Sequence, residues 1–248
     1  MKWIYLSPHL DDVVFSCGGL VWEQTQAGDQ VEIWTIFAGD PPGGALPLFA
    51  QLLHRVWDAG DNPVPERRVE DRAACRKLGA KPVHFSVPDC IYRRAPEDGS
   101  PLYPGEEAIF GGWDPAEQTL IDDILGWFRE NLPEQARVVS PLGIGNHVDH
   151  ALTRQAAQRL ERELWYYADY PYAREEIGQE SLRVLAASDD WEKIPHALSG
   201  PGLVAWQEAA ASYASQISSF WESVEALHRE LAEYAHSMNG VRLWQRTD

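Results

Sequence analysis

Cysteine is scarce in this chain. Its 248 residues include three, Cys17, Cys75 and Cys90, with no CxxC spacing. That argues against a disulfide framework and a cysteine-built zinc site, and it suits a reducing cytosol, so a cytoplasmic location is expected. Positive charge is also short, since 21 Lys and Arg against 38 Asp and Glu give a formal net charge of −17. So acidic a surface repels phosphate backbones and anionic lipid, and neither nucleic acid nor a membrane surface is an expected partner. No apolar run approaches the roughly 20 residues that span a bilayer. His9, Asp11 and Asp12 interrupt the N-terminal apolar stretch, which therefore does not read as a signal peptide. Repeats and low-complexity tracts are absent too. What remains is an ordinary globular composition, 44% hydrophobic and 24% charged, with length enough for a sizeable core.

Strand-like runs alternate with helical ones. Segments 3–6, 31–37, 82–87 and 137–140 are short, apolar and rich in β-branched or aromatic residues, which predicts strands. Helical patterns are expected over about 16–27, 47–57, 65–78, 115–131 and 148–163. LWYY (164–167), LRVLA (182–186) and VRLWQ (241–245) read as further strands, and 203–237 as one or two helices. The stretch 88–115, with its Pro and Gly, reads as a long loop and a candidate lid. This order predicts a Rossmann-like three-layer α/β/α sandwich with a mostly parallel sheet, forming one domain over 1–248. In such sheets ligands sit at the carboxyl ends of the strands.

Two polar clusters fall at such ends. SPHLDD (7–12) follows the first strand and carries His9, Asp11 and Asp12, while GNHVDH (145–150) follows the fourth and carries His147, Asp149 and His150. Either alone could be a capping or solvated group. Together they offer histidine and carboxylate, the ligands zinc uses without cysteine, at strand ends that can converge. Asp11 and Asp12 are adjacent and point in different directions, so one can bind metal while the other serves water. His147 and His150, three apart, share one face of a helical turn. Spacing alone leaves open which of the two would bind metal.

The pattern S-P-H-L-D-D, then C-G-G, then H-V-D-H, resembles the LmbE-like (PIG-L-type) zinc N-deacetylases. The resemblance extends through Arg67, Glu70, Ala74, Leu78 and Gly79, and to Asp89, covering roughly 3–165. It implies one zinc per chain held by His9, Asp12 and His150. It implies that Asp11 is the general base and that His147 stabilises the oxyanion or acts as general acid. Asp149 would orient His147, and Arg67 and Asp89 would help hold a sugar. The implied reaction is removal of an acetyl group from an N-acetylglucosamine-type amino sugar or its conjugate. Other classes left open are a metal hydrolase of a different amide or ester, and a non-catalytic α/β binding protein that keeps the motif. Leu10 stands where the family usually has proline and Val13 where it has glutamate; the second change removes a carboxylate from around the ligands.

Weaker signals carry two readings each. Gly18-Gly19 could cradle a phosphate or allow close packing. The aromatic run 165–172 could line a sugar site or be a core strand and turn. Arg93-Arg94 could meet an anionic group or be a solvated pair, and 203–237 could serve a homo-oligomer interface or the core. His54, His84, His196, His228 and His236 lack any paired context and read as structural or surface residues.

Overall fold

A computed structural model describes residues 1–57, 60 and 62–247. The strands are β1 (Lys2–Ser7), β2 (Gln30–Thr35), β3 (Lys81–His84), β4 (Arg137–Pro141), β5 (Leu164–Tyr167), β6 (Trp191–His196) and β7 (Val241–Arg246). The helices are α1 (Asp12–Gln26), α2 (Leu48–Val56), α3 (Val64–Leu78), α4 (Glu106–Ile109), α5 (Gln118–Asn131) and α6 (Val148–Gln158). Four more follow: α7 (Glu176–Ala187), α8 (Gly200–Ala210), α9 (Ala214–Phe220) and α10 (Val224–Met238).

The strands form one seven-stranded sheet in the order β3-β2-β1-β4-β5-β7-β6. The first five pair in parallel, whereas β7 runs antiparallel to both β5 and β6. The expected mostly parallel sheet is therefore present. Side-chain alternation along β1 separates two cores. Trp3 and Tyr5 pack with Val21, Leu78 and Trp206 on one face, and Ile4 and Leu6 pack with Ile124, Phe128 and Leu152 on the other. Chain order reverses between β1 and β4, and this switch point is where doubly wound sheets open a crevice.

Several expectations need correction. LRVLA lies inside α7 rather than in a strand. Leu182, Leu185 and Ala186, at helical spacing, pack on the second core, while Val184 is left exposed. The short apolar run misled because its period is helical, not alternating. The missed strand, β6, is an edge strand holding Glu192, Lys193 and Pro195; its polar surface hides it, and proline is tolerated at an edge. The stretch 203–237 holds three helices, not two. Gly18 and Gly19 serve close packing: a Cβ on either would lie 2.7 Å from a side chain, Trp206 and Leu198 respectively.

Candidate metal centre and active site

The site lies where the loops after β1, β3, β4 and β5 meet. Ser7, the last residue of β1, donates from its hydroxyl to the His9 carbonyl (2.6 Å) and accepts from the Val13 amide (3.3 Å). This pins the turn that delivers His9 and starts α1 at Asp12. Leu10 and Val13, the two departures from the family pattern, are both buried. Leu10 packs with Ala38 and Val64, and Val13 sits in the first core. At the second loop Gly145 takes a φ of +90°, and a Cβ there would meet Tyr172 at 2.8 Å, so glycine is required. The chain then enters α6 with His147 at its N-cap.

The three histidines converge. Ring centroids are 4.8 Å apart for His9 and His147, 5.4 Å for His9 and His150, and 5.3 Å for His147 and His150. Their hydrogen bonds separate their roles. His150 Nδ1 is 2.6 Å from Asp169 Oδ1, which holds a proton on Nδ1, so that Nε2 is the lone pair once the ring is neutral. That Nε2 is buried, has no hydrogen-bond partner among the described residues, and lies 3.3 Å from Asp12 Oδ1. His9 Nε2 is 3.0 Å from Asp149 Oδ2, leaving Nδ1 to face Asp12 Oδ2 at 3.4 Å. With both rings neutral, two imidazole nitrogens would face one carboxylate, a donor set that a cation can complete. The donor set His9, Asp12 and His150 fits zinc, which accepts nitrogen and oxygen ligands and keeps a further position for water when it has three.

His147 differs. Its Nδ1 accepts from the Asp149 amide (3.2 Å), so in the neutral ring the proton sits on Nε2, although His9, His147 and His150 also bring one ring nitrogen each within 4.8 Å of one another. Burial, reinforced by the charge of His9, holds its pKa well below the usual value and keeps the ring neutral. Asp11, beside Asp12, is buried and faces Arg67 Nη2 at 3.4 Å. Burial pushes its carboxyl up to about 6, against the pull of Arg67.

Asp149 meets His147 through its backbone amide, and its carboxylate is engaged elsewhere. That carboxylate accepts from His9 Nε2, from the Cys90 amide (3.1 Å) and from Arg93 Nη2 (2.6 Å). Burial alone would raise the pKa of Asp149, but Arg93 and His9 hold it below the usual carboxylate range. Asp89 also approaches His9 Nε2, at 3.7 Å, and caps the turn at 90–92. Arg93 is neither a solvated residue nor free for a substrate anion. It bridges Asp149 and Glu117 and lies over the Phe37 ring. Arg67, expected on the sugar, has its guanidinium against Asp11 and stacked on Trp57, although it lines the cavity as well.

Asp169 is a participant that sequence reasoning missed, and Arg93 is one that it noticed without its bridging role. Asp169 had a usable signal, because it lies two residues past β5, at the carboxyl end of a strand beside β4. The cavity above these groups holds about 400 Å³ and is lined by His9, Asp11, Asp12, Asp89, His147 and Tyr172 at its floor.

Residues 4–160 match the PIG-L family, described as GlcNAc-PI de-N-acetylase. The chain belongs to this family. Among curated relatives, a 2'-N-acetylparomamine deacetylase of Niallia circulans is 29% identical over 201 residues, covering 73% of this chain and 72% of the relative. A protein of the same description from Streptomyces fradiae is 29% identical over 196 residues, and the match spans 61% of its length. Among solved structures, the zinc-inhibited form of a teicoplanin deacetylase superposes with a TM-score of 0.81 at 27% identity, covering 100% of this chain and 99% of the other. The likeness covers the C-terminal region that the family match does not reach.

Proposed function

We propose that this protein is a zinc-dependent N-deacetylase that releases acetate from an N-acetylated amino sugar of the N-acetylglucosamine type, or from a conjugate of one. The observation that carries this reading is the buried, unpartnered His150 Nε2 beside Asp12, with its other nitrogen tied to Asp169. Deacetylase relatives, two acting on 2'-N-acetylparomamine and one on teicoplanin, support the reaction type. The three free, buried cysteines accord with a cytoplasmic location.

Zinc held by His9, Asp12 and His150 would supply the charge that acidifies water and polarises the amide carbonyl. Asp11 takes the proton of the attacking water; a carboxyl lifted toward 6 is a better base near neutral pH than an ordinary one. His147 donates from Nε2 to the amide oxygen as negative charge builds there. Asp11 then returns its proton to the leaving nitrogen. Asp149 and Arg93 together hold the His9 ring in place, and Asp89 and Arg67 are assigned to the sugar.

The test is acetate release from N-acetylglucosamine conjugates by zinc-loaded protein and by its Asp11→Asn variant. The variant should keep one metal per chain and lose about 10²–10⁴-fold in rate. Release of other acyl groups but not of acetate would overturn the substrate assignment. Near wild-type turnover by the variant would remove Asp11 from its role.

A further inference from the structure

Tyr172 lines the catalytic cavity, and the next two residues, Ala173 and Arg174, line a second cavity of about 520 Å³. No residue lines both. The other walls of the second cavity come from α7, α10 and the β6-β7 pair, and its volume suits a small molecule.

The charge of this lining is opposite to that of the chain. Arg174, Arg183, Lys193 and Arg242 line it with a single acid, Glu233, whereas acids outnumber Lys and Arg by 38 to 21 over the sequence. Two of the cations are matched, Arg174 by Glu230 and Arg183 by Glu180. Lys193 and Arg242 have no ion pair among the described residues. Three acids against four cations leave positive charge in excess. The strand register gathers the unmatched pair around one ring. Lys193 sits opposite Trp244, and Arg242 is two residues before Trp244 on β7, so the three side chains stand on one face. Lys193 Nζ is 5.6 Å from the centre of the Trp244 ring. Trp244 is 1% exposed, and its Nε1 is a buried donor with no acceptor among the described residues. Leaving such a donor unmade is costly.

A phosphomonoester carries nearly two negative charges and three acceptor oxygens, which matches two cations and one indole N–H. Leu182 and Met238 give the same cavity an apolar side. We propose that this second cavity binds a small aromatic phosphomonoester, with its phosphate held by Lys193, Arg242 and Trp244 and its ring against Leu182 and Met238. The proposal does not depend on the deacetylase reading.

Phenyl phosphate is titrated into zinc-loaded protein by calorimetry, while the indole N–H signal of Trp244, assigned through Trp244→Phe, is followed by NMR. It should bind and move that signal. Lys193→Gln and Arg242→Gln should each weaken binding at least about tenfold, the effect of losing one charge-assisted hydrogen bond. His150→Ala, which removes a proposed zinc ligand, should leave binding unchanged if its fold is retained by circular dichroism, because only phosphate on the catalytic metal would be lost there. Inorganic phosphate, having no ring to bury, should bind about tenfold more weakly than phenyl phosphate. A Trp244 signal that does not move, unchanged affinity in both cation variants, loss of binding in folded His150→Ala, or equal affinity for inorganic phosphate would each overturn the proposal. So would a solution dimer abolished by Arg242→Gln, which would assign the cations to acidic groups of a second copy.

Discussion

His150 Nδ1 and Asp169 Oδ1 lie 2.6 Å apart, both residues buried, and the pair joins the start of α6 to the loop after β5. The carboxylate also accepts from the Ile144 amide at 2.9 Å, so its own position is fixed. A ligand histidine whose other nitrogen is held in this way is oriented and made more basic. Asp169→Asn should therefore lower zinc affinity by about 10–100-fold without removing any ligand. Competition with a chromophoric chelator measures this. Asp169→Ala should fall at least as far, and wild-type affinity in both variants would show that the ring needs no such support.

Metal uptake should release protons. In the metal-free protein burial opposes a charge on His150, but Asp12 and Asp169 lift its pKa to about 9. His9 is likewise raised, by Asp89, Asp12 and Asp149 against its burial. Below pH 9, then, His150 carries a proton that metal must displace. Affinity should rise with pH up to about 9 and fall about tenfold per unit below it for each proton released. Calorimetry in buffers of different ionisation heats counts these protons. A binding heat independent of buffer at pH 7 would contradict the assignment of His150 as ligand.

The two clusters that carry the proposed ligands were legible in the sequence because SPHLDD and HVDH are contiguous and each follows an apolar run, while the choice between His147 and His150 came only from the resemblance. The groups that orient them were not. Asp169 is 19 positions from His150, and Arg93 is 56 positions from Asp149. Such pairings depend on which strands lie side by side, and spacing does not report that. The contacts of the Asp149 carboxylate with His9 and Arg93 were equally hidden, since its sequence neighbour is His147. The fold shows the same division. The parallel strands β1, β2, β4 and β5 announce themselves by apolar runs that are mostly buried on both faces, whereas edge strand β6 is half-exposed and polar.

Arg93 should matter to stability as well as to the site. It bridges the carboxylates of Asp149 and Glu117 and is buried. Arg93→Met keeps much of the volume but takes the guanidinium away from two buried carboxylates, which then keep, among the described residues, only His9 and the Cys90 amide on Asp149 and the Tyr103 hydroxyl on Glu117. Breaking a buried pair in this way costs about 3–5 kcal/mol. Denaturant unfolding of metal-free protein should show that loss as a lower midpoint. An Arg93→Met/Glu117→Gln double variant should recover part of it, because one of the stranded charges is gone. An unchanged midpoint in the single variant would mean that solvent reaches the network and screens it.

The two histidines of HVDH should fail in different ways. His150 offers a lone pair at Nε2, since Asp169 holds the proton of its other nitrogen. His150→Ala should therefore lose zinc and activity together. His147 offers an N–H at Nε2, since its Nδ1 accepts from the Asp149 amide. His147→Ala should retain zinc, and its defect should fall mainly on kcat, because the oxyanion exists only in the transition state. Loss of one such donor costs about 10²–10³-fold. Substituting alanine also removes the N-cap acceptor of α6, at a cost of roughly 1 kcal/mol, so folding must be checked by circular dichroism. His147→Gln, which keeps a side-chain N–H donor, should recover part of the rate. Metal content and steady-state kinetics on these variants decide the matter: zinc lost from His147→Ala but kept in His150→Ala would exchange the two roles.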